Sequence, residues 1–106
     1  MCSSDLFPSH DKDAQNRLGN CYENGEGVVK NMCEAVSWYT KAANQGNEDA
    51  QNSLGYCYEY GEGVGKDLRE AVSWYTRAAY QGDKNAQYNL GKVQNLEKAD
   101  NYLAIK

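Results

Sequence analysis

The chain reads as an all-α solenoid built from stacked pairs of antiparallel helices, and three observations predict that fold. The first is a 36-residue period: Ala14-Gln15 returns as Ala50-Gln51 and Ala86-Gln87, and Leu18-Gly19 returns as Leu54-Gly55 and Leu90-Gly91. The second is helical spacing of the apolar positions within each copy. The third is punctuation, since Gly25-Glu26-Gly27-Val28 and Gly61-Glu62-Gly63-Val64 fall at the same place in successive copies. A repeated two-helix unit cannot bury its apolar face alone, so its copies must lean on one another. The expected organisation is a loose N-terminal segment (1–12), a first repeat (13–46), a second (47–82) and a truncated third (83–106).

The first helix of the unit is expected over Asp13 to Asn24. At 100° per residue, Ala14, Leu18, Cys21 and Tyr22 share one arc, and Asn16, Arg17, Asn20, Glu23 and Asn24 fall opposite. Gly19 lies at the edge of the apolar arc, where it costs roughly 1 kcal/mol against alanine. The same cost recurs at Gly55 and Gly91, so a neighbouring helix is expected to approach closely over all three. Gly25-Glu26-Gly27 ends the helix, because glycine takes the left-handed conformation of a helix terminus. Val28 is placed to plug the gap between the two helices.

The second helix should begin at Asn31 and, in the next copy, at Asp67, both good N-cap residues. Ala35, Val36, Trp38, Tyr39, Ala42 and Ala43 form its apolar stripe, while Cys33, Ser37, Lys41 and Asn44 point away. Gly46 and Gly82 close it, and Asn47 and Asp83 start the next unit at once. Trp38 and Trp74 are expected to fill the core between units. The third copy differs. Lys98 to Leu103 aligns with Glu34 to Tyr39 at an offset of 64 rather than 72 residues, so the loop glycines are missing. Ala86, Leu90, Val93, Leu96, Ala99 and Leu103 allow either one long helix or a compressed pair kinked near Gln94-Asn95.

Composition narrows the function. The chain has 106 residues, 25% of them charged, and a net charge of −4 with no block of like charge. A nucleic-acid partner requires a basic face, and none is visible. No apolar run approaches the roughly 20 residues of a membrane span. Met1 to Asp13 does not read as a signal peptide. Met1 to Leu6 reads as the translation of a sequencing-adapter end, so no function is drawn from Cys2. Cys21 and Cys57 are repeat equivalents, but Cys33 is matched by Arg69, and the pairing rule favours buried thiols in a reducing setting over a disulfide framework. The cysteines and the single His10 match no zinc spacing, and no cofactor is called for.

The run Ala-Gln-x-x-Leu-Gly-x-x-Tyr-x-x-Gly-x-Gly-Val, followed by Ala-Val-x-Trp-Tyr-x-Lys/Arg-Ala-Ala-x-Gln-Gly, resembles the Sel-one-like repeat, a branch of the tetratricopeptide-like helical repeats. The match covers about Asp13 to Gly91 well and the tail poorly. The resemblance implies a right-handed superhelix that serves as a noncatalytic adaptor or scaffold for a protein or peptide, with the first helices lining its concave side. Residues there that packing does not need are the candidate contacts: Asn16, Asn20 and Asn24, then Asn52, Tyr56 and Tyr60, then Tyr88 and Lys92. Asn can pair with a backbone amide and Tyr offers apolar area with a polar tip. The competing reading is a solvated outer face of the kind any surface helix shows.

Two other readings stand beside this one. The chain can be a spacer whose partners are neighbouring repeats of a longer array, or a module that associates with itself. Some cysteine-rich relatives carry a β-lactamase label, and Ser9-His10-Asp11-Lys12 spells the Ser-x-x-Lys of penicillin-recognising enzymes. The companion Ser-Asp-Asn and Lys-Thr-Gly elements are missing, and no catalytic residue is assigned. The relatives that pair cysteines inside each repeat find no counterpart in the second copy.

Overall fold

The computed structural model describes residues 10–105, with side chains through Leu96 and at Lys98. These residues form five helices and no strand: α1 (Lys12–Asn24), α2 (Met32–Asn44), α3 (Glu48–Tyr60), α4 (Leu68–Tyr80) and α5 (Lys84–Ile105). Helix α1 packs on α2, α2 on α3, α3 on α4 and α4 on α5, and α3 also reaches α5. Each helix therefore touches its chain neighbours, as a stack of two-helix units requires.

Local chemistry sets the ends. The side chains of Asp11, Asn31, Asn47, Asp67 and Asp83 accept hydrogen bonds from the backbone N–H groups of Asp13, Glu34, Ala50, Arg69 with Glu70, and Ala86, respectively. Each satisfies donors that the first turn leaves without a helical partner. Helix α1 thus begins one residue earlier than the pattern suggested. Asp11 and Lys12, half of the Ser-x-x-Lys run, serve as its cap and first turn; Ser9 and the adapter-like residues lie outside the described residues.

Between units the turn is a Schellman motif. Gly46, at φ 95°, donates to the Ala43 carbonyl, and Asn47 donates to the Ala42 carbonyl. Asn47 therefore ends α2 with its backbone and caps α3 with its side chain. Its Nδ2 also donates to Asp13 Oδ1 of the preceding unit at 2.9 Å. Gly82 and Asp83 repeat the backbone pattern.

Inside the stack, Ala35, Val36, Tyr39, Ala42 and Ala43 of α2 meet Ala50, Leu54 and Cys57 of α3, with Trp74 of α4 inserted and Val64 packed alongside. A second cluster joins Ala71 and Tyr75 to Val93, flanked by Leu68, Val72 and Leu90. The repeated glycine gives way to an aromatic ring: a Cβ at Gly19 would lie 2.5 Å from Tyr39, and one at Gly55 would lie 2.7 Å from Tyr75.

Three expectations change. Among the described residues no heavy atom stands within 4 Å of where a Gly91 Cβ would lie, so no tyrosine ring closes on it as on Gly19 and Gly55. Trp74 is buried in the core between units, whereas Trp38 is only half-buried and lies outside that cluster. Cys21 is disulfide-bonded rather than a free thiol. Cys57 is free and buried, its thiol pushed up to about 12 by burial and then by Glu23 and Glu62. Of the two options for the tail, the single long helix is the one that forms.

Candidate functional site

The polar face that the first helix of each unit offers to solvent is partly taken back into the fold. Gln15 and Gln51 are buried. Gln51 Nε2 donates to the Ala43 carbonyl, and its Oε1 accepts from Gln81 Nε2 at 2.9 Å. In the preceding unit, Gln45 Nε2 donates to Gln15 Oε1 at 2.7 Å. Glu59, expected to face water, is 3% exposed and accepts from the Tyr75 hydroxyl at 2.8 Å. Its counterpart Glu23 is half-buried and lies 2.5 Å from the Tyr39 hydroxyl, whose one proton also faces Asn20 Oδ1 at 2.7 Å. Burial first, and then the carboxylate beside each ring, push both phenols far above their ordinary range.

What remains open gathers around α3. Glu23 of α1, Asn52, Ser53 and Tyr56 of α3 and Asn89 of α5 line a cleft of about 220 Å³. Asn89 Nδ2 donates to Asn52 Oδ1 at 3.2 Å, which ties two walls together. The Tyr56 ring, 44% exposed, packs against Tyr60, 51% exposed, with centroids 4.6 Å apart. Lys92 reaches Tyr60 from α5. Its ammonium donates to the Tyr60 hydroxyl at 3.1 Å, pairs with Glu59 at 3.2 Å and stands 5.5 Å from the ring centroid. These contacts hold Lys92 above its ordinary pKa, the Tyr60 hydrogen bond first, against burial and with help from Glu59.

The columns named from sequence divide accordingly. Asn52 and Tyr56 share the cleft, and Tyr60 and Lys92 adjoin it through Tyr56. Asn20 is held by Tyr39, and Asn16 Oδ1 is buried without a hydrogen-bond partner. Asn24 is exposed at the end of α1, and Tyr88 is 73% exposed on α5. Glu23, Ser53 and Asn89 line the cleft although the sequence did not single them out. The signal was available for Glu23, which repeats as Glu59 opposite a repeating tyrosine. Among the described residues no group of His, Cys, Asp and Glu is arranged to hold a metal ion, and no helix is long and apolar enough to cross a membrane.

The family model described as the Sel1 repeat matches residues 12–47, 48–83 and 84–106. Over 38 residues the chain is 55% identical to the DAP3-binding cell death enhancer 1 of Rattus norvegicus, a match covering 34% of this chain and 8% of that protein. Three solved structures are similar. A Sel1 repeat protein from Oxalobacter formigenes has a TM-score of 0.75 at 45% identity, covering 77% of this chain and 34% of that one. A protective antigen of uropathogenic Escherichia coli strains has a TM-score of 0.75 at 43% identity, over 76% of this chain and 17% of that one. Helicobacter pylori cysteine rich protein B has a TM-score of 0.71 at 33% identity, over 74% of this chain and 59% of that one. The chain thus spans less than two thirds of the length of each of these relatives.

Proposed function

The chain belongs to the Sel1 repeat family, a family of helical scaffolds of the protein-interaction class, and from that premise we propose that it is a noncatalytic module holding a protein or peptide segment against α1, α3 and α5. The observation that carries the reading is the cleft at Glu23, Asn52, Ser53, Tyr56 and Asn89, bordered by the exposed Tyr56–Tyr60 pair. Two half-exposed aromatic rings, in contact and tilted 49° to one another, offer apolar area at small entropic cost, and the amides beside them can meet a backbone. The proposed contacts are Asn52, Tyr56, Tyr60 and Lys92, with Asn16, Asn20, Asn24 and Tyr88 as the flanking columns. A pull-down with the intact protein, compared with Tyr56→Ala/Tyr60→Ala, tests it. Loss of a partner from the variant supports this face, and equal recovery of every partner removes it.

A second reading has its own observation: the matched relatives are longer than this chain. On that reading the two units and long helix are a spacer within an array, and neighbouring repeats are the partners. Sedimentation separates the two, because a clean monomer at high concentration favours a self-sufficient binder.

A further inference from the structure

The two junctions of the stack share one sequence pattern, and they differ in where a carboxylate finds its cation. At the second, the chain supplies a cation of its own: Lys92 of α5 places its ammonium 3.2 Å from the Glu59 carboxylate and 3.1 Å from the Tyr60 hydroxyl. One 36-residue period earlier, Glu59 corresponds to Glu23, Lys92 to Tyr56 and Tyr60 to Asn24. The first junction therefore keeps the carboxylate and replaces the ammonium with a ring. No cation among the described residues pairs with Glu23. In place of the missing lysine, the structure has the 220 Å³ cleft, with Glu23 and Tyr56 both in its wall.

From this internal template, and resting on the binding reading above, we infer that the cleft receives a lysine or arginine side chain from the partner segment, which takes the place that Lys92 takes one repeat later. The wall groups fit that guest. Glu23 gives a charge-assisted acceptor that already receives one hydroxyl hydrogen bond, and the Tyr56 ring gives a face for an ammonium or a planar guanidinium. Asn52 and Ser53 add neutral acceptors. The surrounding field has the same sign: Tyr56 is raised above its ordinary pKa by burial first, then by Glu62, Tyr60, Glu23 and Glu59. The net charge of −4 steers a basic segment in the same direction.

The test uses blocked heptapeptides of glycine and serine with arginine, lysine, citrulline or glutamate at the centre, titrated into the isotope-labelled protein. Arginine and lysine peptides are expected to shift the amides of Asn52, Ser53, Tyr56 and Asn89. Citrulline, which keeps the shape and loses the charge, should bind about fivefold more weakly, and so should the arginine peptide to Glu23→Gln. Tyr56→Lys supplies the first junction with the ammonium that the second has, with Asn24 standing where the second has Tyr60. It should fold, because the site is exposed, and lose measurable response to every cationic peptide. Citrulline or glutamate binding the cleft as well as arginine overturns the inference and leaves the wider reading standing. So does Tyr56→Lys responding like the parent chain. If no peptide moves these amides the inference falls as well, and the Tyr56→Ala/Tyr60→Ala comparison then decides the wider reading separately.

Discussion

The junction between the first and second units and the junction between the second unit and the terminal helix start from the same sequence pattern and end differently. At the first, Trp74 is driven into a cluster formed by α2 and α3, and Asn47 holds three groups at once: the end of α2, the start of α3 and Asp13. At the second, the equivalent of Asn47 is Asp83, which caps α5 and has no amide to donate backwards, and the equivalent of Asp13 is Asp49. Apolar contact there comes from Val93 and Leu90. The first junction is a full helix pair against a helix pair, and the second is a pair against one long helix. The two junctions are thus held by different means, and the open cleft spans both, with Glu23 of α1 on one side of α3 and Asn89 of α5 on the other.

The largest test of this contrast is the tryptophan. Trp74→Ala should cost about 3 to 5 kcal/mol, the range for removing a buried large aromatic. Trp38→Ala, at the equivalent but half-buried position, should cost roughly half as much. Urea midpoints of the two variants check the difference. Equal costs would mean that the core between units is not the main source of stability.

Alkaline titration separates the two tyrosine–glutamate pairs. The unfolded chain releases its phenol protons near the ordinary value of about 10, while the folded state holds those of Tyr39 and Tyr75 to much higher pH. Stability from these pairs is therefore fully present below pH 10 and falls as the pH rises above it, by about 1.4 kcal/mol per pH unit for each proton retained. Cys57, held up to about 12, starts the decline slightly earlier. Urea unfolding from pH 8 to 11 should show a plateau and then this fall. Tyr75→Phe should reduce the slope by about one proton, at the expense of leaving the buried Glu59 with Lys92 alone. An unchanged slope would show that Tyr75 is not holding its proton in the fold.

What the sequence made legible was what repeats locally. The caps at Asn31, Asn47, Asp67 and Asp83 and the turn glycines announce themselves within a few residues of the backbone groups they satisfy. Burial of Glu59 and Gln51 was not legible, because their partners, Tyr75 and the Ala43 carbonyl, lie on another helix and only the packed pair turns a polar residue inward. The disulfide state of Cys21 escaped the pairing rule, which counts cysteines inside repeats. Of the cleft, Asn52 and Tyr56 followed from the helix face they share, whereas Glu23 and Asn89 joined it only through the stacking of α1 and α5 on α3. The role of Lys92 was hidden for the same reason: its partner carboxylate is one unit away.

The smallest expected effects carry opposite signs and so sharpen the contrast between junctions best. Gly55→Ala puts a methyl 2.7 Å from two carbons of the Tyr75 ring, which is itself fully buried and has little room to yield. Such overpacking should cost about 1 to 3 kcal/mol, more than the helix propensity it gains. Gly91→Ala makes the same chemical change at the equivalent position of the third copy, where no described residue stands within 4 Å. With no clash, only the propensity term remains, and the variant should be more stable than the parent by up to about 1 kcal/mol. Thermal unfolding of the two variants side by side reads both signs. A destabilised Gly91→Ala would mean that another helix face covers this position in solution, and that the terminal helix is packed as the first two units are.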